Sequence, residues 1–157
     1  MIDEIQVENL ALIRKASMAP SGALTVLTGE TGAGKTALLT ACKLLMGSRA
    51  DKSSIREGAD AARVAGRFYL PSDDGERELV ATRSVSVDGR SRATIDGSMA
   101  SASELAKKIA PSVDLCGQHE HQRLMKPVSH GPLLDAWAAD EVEKLLGEYR
   151  RAYSQAV

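Results

Sequence analysis

Gly29-Glu30-Thr31-Gly32-Ala33-Gly34-Lys35-Thr36 spells a complete phosphate-binding loop, and the residues on either side of it decide how the rest of the chain is read. In front stands the apolar run Leu24-Thr25-Val26-Leu27, which predicts a buried strand. Behind it, Leu38, Ala41, Cys42 and Leu45 fall at i, i+3, i+4 and i+7, the stripe of a helix that Gly47 would end. A strand that stops at a glycine-rich turn and restarts as a helix aims backbone N–H groups and the positive end of a helix dipole at one point, where a polyphosphate fits. Gly29, Gly32 and Gly34 let the backbone curl around an anion where a Cβ would collide, with Glu30, Thr31 and Ala33 completing the turn. Lys35 offers a compact charge to the β- and γ-phosphates, and the Thr36 hydroxyl can complete the shell of a Mg2+. The competing reading, a glycine-rich turn capping an ordinary helix, does not need the strand and helix that flank this one.

Composition narrows the class. At 157 residues the chain can bury one core, and 43% hydrophobic with 26% charged residues is ordinary for a water-soluble domain. Aromatic residues make up only 3%, so the core must be built from Leu, Val, Ile and Ala. A net charge of -1 argues against a surface coated with basic residues for nucleic acid and confines any such contact to a small face. No run of about 18 apolar residues is present, and Met1-Ile2-Asp3-Glu4 lacks the layout of a secretory signal, so a cytoplasmic protein without membrane partners is expected. Cys42 and Cys116 fit reduced thiols better than a disulfide framework.

Along the chain, Ile5, Val7 and Asn9 alternate with Gln6, Glu8 and Leu10 as an opening strand, and Leu12 to Ser17 predicts a second. Strands return at Ala62 to Leu70 and Leu79 to Val87 about a turn at Pro71 to Gly75, and Asp88-Gly89 signals a hairpin into Arg90 to Ile95. Ser101 and Glu104 have the spacing of a capping box opening a short helix through Ile109, and Val113 to Cys116 reads as a buried strand. Val142, Leu145, Tyr149 and Ala152 keep the spacing of a coiled coil, although one amphipathic helix docked on a domain explains them equally.

A P-loop ATPase also needs an acidic residue at the end of an apolar strand and a group that positions the attacking water. After Thr36 no four apolar residues end in Asp-Glu, and Val113-Asp114-Leu115 places its acid inside the run. Neither an Asn-Lys-x-Asp guanine-reading segment nor a lid for a small-molecule kinase is evident. The residues describe a nucleotide binder that is catalytically incomplete.

Several segments carry a resemblance. Val7-Glu8-Asn9-Leu10-Ala11-Leu12-Ile13, the loop from Leu27 to Thr36, Gly47-Ser48-Arg49-Ala50-Asp51, Gly89-Arg90-Ser91-Arg92-Ala93 and above all Cys116-Gly117-Gln118-His119-Glu120-His121-Gln122 are together similar to the amino terminus of the RecN family of bacterial DNA repair proteins, in the SMC-like branch of the ABC-type ATPases. The resemblance runs to about Ala139. It implies an α/β fold, a P-loop NTPase of ABC/SMC head type, with residues 1–139 as the amino-terminal lobe carrying a mixed β-sheet subdomain and 140–157 as the start of a coiled-coil helix. It further implies ATP and Mg2+ as cofactors, and as partners a carboxy-terminal lobe of the same protein, a second head in a homodimer and DNA, in a nucleoid-associated setting. The signature segment, the Asp-Glu strand and the switch histidine would lie in that absent lobe, so hydrolysis belongs to the complete protein and not to this chain. By the same resemblance Gln118 is the glutamine that ligates Mg2+ and orients the attacking water, and Gln122 takes the role if the register differs by a turn. An exposed loop glutamine is the plainer alternative.

Cys116, His119, His121 and His130 have side chains suited to zinc, but Cys-x2-His-x-His matches no common structural zinc unit. Arg83, Arg90 and Arg92 flank the predicted hairpin and either contact phosphates or belong to a solvated strand face. Arg49 and Arg56 either face a second subunit's nucleotide or DNA, or are surface charges. Two other functional classes fit the loop alone: a small P-loop kinase, and a non-enzymatic module whose partner surface nucleotide orders.

Overall fold

The computed structural model describes residues 1–30, 34–72, 75–113, 115 and 127–156. They divide into two units, Met1–Val113 and Asp114–Val157. In the first, period-two alternation builds strands β1 (Ile2–Leu10), β2 (Ile13–Met18), β3 (Ala61–Ser72), β4 (Gly75–Ser86), β5 (Ser91–Ile95) and β6 (Ser98–Ala100). They form one sheet in the order β2-β1-β3-β4-β5-β6, each neighbouring pair antiparallel. Helix α1 (Lys35–Leu45) and a 3-10 turn at Lys52–Ser54 lie between β2 and β3, and helix α2 (Ala102–Ile109) follows β6.

One face of the sheet carries Ile5, Val7, Val64, Phe68, Leu79, Ala81, Val85 and Ile95, and the two helices cover it with Ala41, Leu44, Leu45, Leu105 and Ile109. The alternation of β1 changes phase at Asn9, which adopts φ 52, and this kink returns Leu10 to the buried side. Helix α1 ends in a Schellman motif: Gly47 N–H donates to Leu44 O at 3.2 Å and Ser48 N–H to Lys43 O at 3.0 Å. Gly47 sits at φ 83, and a Cβ there would lie 2.3 Å from Ala102 O, so this glycine lets the end of α1 meet the start of α2. The capping box is formed, with Glu104 N–H donating to Ser101 Oγ at 3.1 Å and Ser101 N–H to Glu104 Oε2 at 2.6 Å.

The hairpin at Asp88-Gly89 forms as the sequence predicts. The turn expected over Pro71 to Gly75 is tighter, because β3 runs through Ser72 and pairs there with Gly75 of β4. Strand β6 was not anticipated; it returns from β5 through Asp96-Gly97, at φ 50 and 79, the backbone of a type I′ turn. The largest correction concerns Leu24-Thr25-Val26-Leu27. This segment is not a strand, and Leu24, Val26 and Leu27 stand 78%, 70% and 47% exposed. A strand needs a hydrogen-bonding neighbour, and this run pairs with none of the six strands of the sheet. Nor do Val113 and Leu115 form strand; Asp114 and Cys116 lie outside the described residues.

The second unit contains a 3-10 turn at Pro127–Ser129 and helices α3 (His130–Trp137) and α4 (Ala139–Ala156). On α4 Leu145, Tyr149 and Tyr153 are exposed, and the two tyrosine rings stack with centroids 6.0 Å apart. Among the described residues no helix is long and apolar enough to cross a membrane.

Candidate nucleotide-binding site

Gly34 caps the amino terminus of α1 at φ 94, and a Cβ there would come within 3.3 Å of Ile13 Cγ1 on β2. Its carbonyl accepts the first helical bond, from Leu38 N–H at 3.1 Å. The first turn that follows holds Lys35 and Thr36 and no acidic side chain, so nothing on the helix itself neutralises its positive end. Lys35 Nζ donates to the carbonyls of Gly29 and of Glu30, the latter at 2.7 Å, folding the ammonium back over the loop it follows. Thr31, Gly32 and Ala33 lie outside the described residues.

Gly34, Lys35, Thr36, Ala37 and Thr40 line a cavity of about 300 Å³ whose other walls are Ala11, Leu12 and Ser54. The sequence reading missed these last three. Ala11 holds a left-handed backbone, φ 48, which costs a non-glycine residue on the order of 1 kcal/mol or more. Its conformation is fastened from the segment after α1: Ala11 N–H donates to Ser54 O at 2.6 Å, Arg56 N–H to Asn9 O at 2.9 Å, and the Arg56 guanidinium to Leu12 O at 2.8 Å. Asp51 steadies that segment by accepting from Ser53 N–H at 2.9 Å, and this bond holds its carboxyl below the usual range. Arg56 is therefore committed to positioning the β1–β2 turn against the Lys35–Thr36 turn. These long-range clasps leave no periodic trace; a non-glycine turn at Ala11 is the only local sign.

A cavity of this size, an unneutralised helix start, and an exposed ammonium and hydroxyl on one turn fit a nucleoside polyphosphate with its cation. Cys42, within α1, is partly buried, and burial pushes its thiol up, away from reactivity. Gln118, Gln122, Cys116, His119 and His121 lie outside the described residues, while His130 begins α3. The three hairpin arginines do not form one patch: Arg90 pairs with Asp88 at 3.2 Å and Arg92 is exposed, but Arg83 faces the core at 5% exposure. Its position was legible, since Leu79, Ala81, Arg83 and Val85 alternate in phase.

A glycine-capped helix carrying Lys-Thr on its first turn, packed on a sheet and facing a cavity of nucleotide dimensions, defines a P-loop nucleotide-binding protein of the α/β class. The chain belongs to the AAA domain family, whose model matches residues 4–147. It is 33% identical to the DNA repair protein RecN of Bacillus subtilis over 170 residues, covering all of this chain and 30% of that protein. It is 38% identical to the RecN of Mycobacterium bovis over 158 residues, covering 88% of this chain and 27% of the relative. The chain thus spans less than a third of these relatives. Among solved structures, the Smc head domain with a coiled coil and joint from Pyrococcus yayanosii matches 98% of this chain and 36% of its own, with a TM-score of 0.67 and 23% identity. The recombination mediator RecF with ATP matches 66% of this chain and 29% of its own, at a TM-score of 0.56 and 22% identity. These likenesses establish the fold of an SMC-type head.

Proposed function

We propose that residues 1–139 are the ATP-binding, amino-terminal lobe of an SMC-like ABC-type ATPase head acting in double-strand break repair by recombination, and that 140–157 open its coiled coil. The observation that carries this reading is the Gly34-Lys35-Thr36 turn facing the Ala11-Leu12 wall, in a chain similar to RecN over its whole length. When bound, ATP with Mg2+ supplies a phosphoanhydride whose cleavage resets the engaged heads. The loop amides and Gly34 bind the phosphates, Lys35 exchanges its bonds to Gly29 and Glu30 for phosphate oxygens, Thr36 holds the cation, and Ala11 and Leu12 give the base an apolar wall. Gln118 aligns the attacking water and contributes to the cation's shell.

The remaining chemistry comes from outside the chain. The exposed Leu24, Val26 and Leu27 suit a segment that becomes a strand once a carboxy-terminal lobe lies beside it. A second head supplies the signature segment in trans, so ATP binding drives homodimer engagement and turnover follows only in the complete, nucleoid-associated protein, which contacts DNA. The test is ATP hydrolysis and nucleotide-dependent dimerisation of the full-length protein with Lys35→Ala and Gln118→Ala. Loss of both properties in Lys35→Ala, and of hydrolysis alone in Gln118→Ala, is expected. Nucleotide-dependent dimers that never hydrolyse ATP would point instead to a non-enzymatic module, and phosphoryl transfer to a metabolite to a kinase.

A further inference from the structure

Arg83 is a buried cation without a counter-ion. It is 5% exposed in mid-strand β4; among the described residues its guanidinium makes one hydrogen bond, Nε to Ser91 Oγ at 2.8 Å, and Nη1 is buried with no partner. Among the described residues no carboxylate pairs with it, and burial alone pushes the guanidinium below its ordinary value. An unpaired buried charge is among the costliest arrangements a fold can hold, and its usual resolution is an anion.

The place for one is adjacent. Ser91, which the guanidinium grips, stands opposite Val85 in the β4–β5 ladder, and Val85 is a wall of a cavity of about 470 Å³. The other walls are Arg49, Ala50, Asp51 and Lys52 from the segment after α1, and Gly89 at the hairpin tip. Arg49 and Lys52 are exposed cations, and Asp51, the only acid lining the cavity, accepts from Ser53 N–H and keeps its negative charge beside them, so the lining carries two positive charges against one negative. At the tip, Asp88 is taken by Arg90. Two cations thus line the space, and Arg83, bonded to the Ser91 that pairs with Val85, lies beside its Val85 wall.

We infer that this space between the Arg49–Lys52 segment and the root of the β4–β5 hairpin is a second oxyanion site, separate from the nucleotide loop, that takes a phosphate group of a nucleic-acid backbone. Assigning the phosphate to DNA rests on the repair reading above; the need for an anion rests on Arg83 alone. Arg49 and Lys52 draw the phosphate in as point charges at the rim. Arg83, which does not line the space, adds its charge from the Val85 side while Nε keeps its hold on Ser91. A phosphodiester bound here meets the hairpin end of β4 and β5, which suits the backbone-positioning contacts that make up most protein–DNA hydrogen bonds.

The test uses the full 157-residue chain in a Lys35→Ala background, so that the nucleotide loop does not capture the probe. Thermal unfolding is followed in inorganic phosphate, acetate and chloride at equal ionic strength, and binding of a short DNA duplex is followed by fluorescence anisotropy across salt concentrations. Phosphate should raise the midpoint above chloride while acetate does not. Arg83→Met should remove that increment and, by deleting an unpaired buried charge, unfold no earlier than its parent in chloride; a merely structural arginine would not behave so. Arg49→Ala/Lys52→Ala, which alters only exposed side chains, should also remove the increment, weaken duplex binding at least tenfold and lower the salt slope by about one to two. If the increment is lost but duplex binding is unchanged or undetected, the occupant is free phosphate. No phosphate increment, equal protection by acetate, which would indicate a carboxylate from elsewhere in the protein, or an increment that both variants leave intact would overturn the site. ATP binding by the chain with Lys35 intact is measured in parallel; its loss would undo the nucleotide reading without touching this one.

Discussion

Strands β3 and β4 pair along twelve residues, from Ala61 with Ser86 to Ser72 with Gly75, and put Val64, Phe68, Leu79 and Ala81 into the core, whereas Leu24, Val26 and Leu27, no less apolar, stand exposed and unpaired. The two regions differ in whether they find a strand partner. The hairpin finds its neighbour across a short turn, and α1 and α2 close over it from the same chain. The run before the phosphate loop has the composition of a central strand, but it pairs with none of the six strands. Hydrophobic pattern alone therefore does not make a strand, and on the reading proposed above the exposed run marks the surface a carboxy-terminal lobe would cover.

The sharpest way to break the comparison is to delete side chains from both regions. Leu105→Ala, at a fully buried position under the sheet, should cost about 2–5 kcal/mol in urea denaturation. Leu24→Ser should stay within about 0.5 kcal/mol in this chain. A comparable loss at both positions would show that the exposed run is packed after all. Next in size is Lys35→Ala at the boundary between the two regions: removing one charge-assisted phosphate contact of about 1.5–3 kcal/mol should weaken ATP binding roughly 10- to 100-fold in a fluorescent-nucleotide titration. Its stability should hold, because the Lys35 bonds to Gly29 and Glu30 are exposed.

Smaller effects sharpen the self-sufficient side. Gly47→Ala forces a β-carbon onto Ala102 O at φ 83 and should cost about 1–3 kcal/mol by the same denaturation, through separation of α1 from α2. Ser101→Ala removes the cap of α2 and should cost about 1 kcal/mol. The capping box also has a pH signature. Hydrogen bonds from Ser101 hold the Glu104 carboxyl below its unfolded value, so its contribution is complete above that value and is lost as pH falls through the lowered one. Unfolding midpoints of Glu104→Ala and its parent should therefore converge in acid; a difference that persists there would remove the assignment.

Features with local causes were legible in the sequence: the Asp88-Gly89 hairpin, the Ser101–Glu104 box, the α1 stripe and the Gly34-Lys35-Thr36 turn are each defined within a few residues. Features with distant causes were not. The Ala11-Leu12 wall of the nucleotide cavity exists because Ser54 and Arg56 hold it, more than forty residues away in sequence, and no periodicity reports that clasp. Arg83 lies between these cases. Its phase placed it in the core, but its charge suggested a surface patch, and only the fold shows that phase prevailed and left Nη1 without a partner.

The central claim is that this chain holds half of a catalytic site. Equilibrium ATP binding and steady-state ATP hydrolysis, measured side by side on the 157-residue chain and its Lys35→Ala variant, test it directly. The account predicts weak, Lys35-dependent binding with no turnover above background until the remainder of the protein is supplied. Robust hydrolysis by the chain alone, abolished by Lys35→Ala, would contradict it.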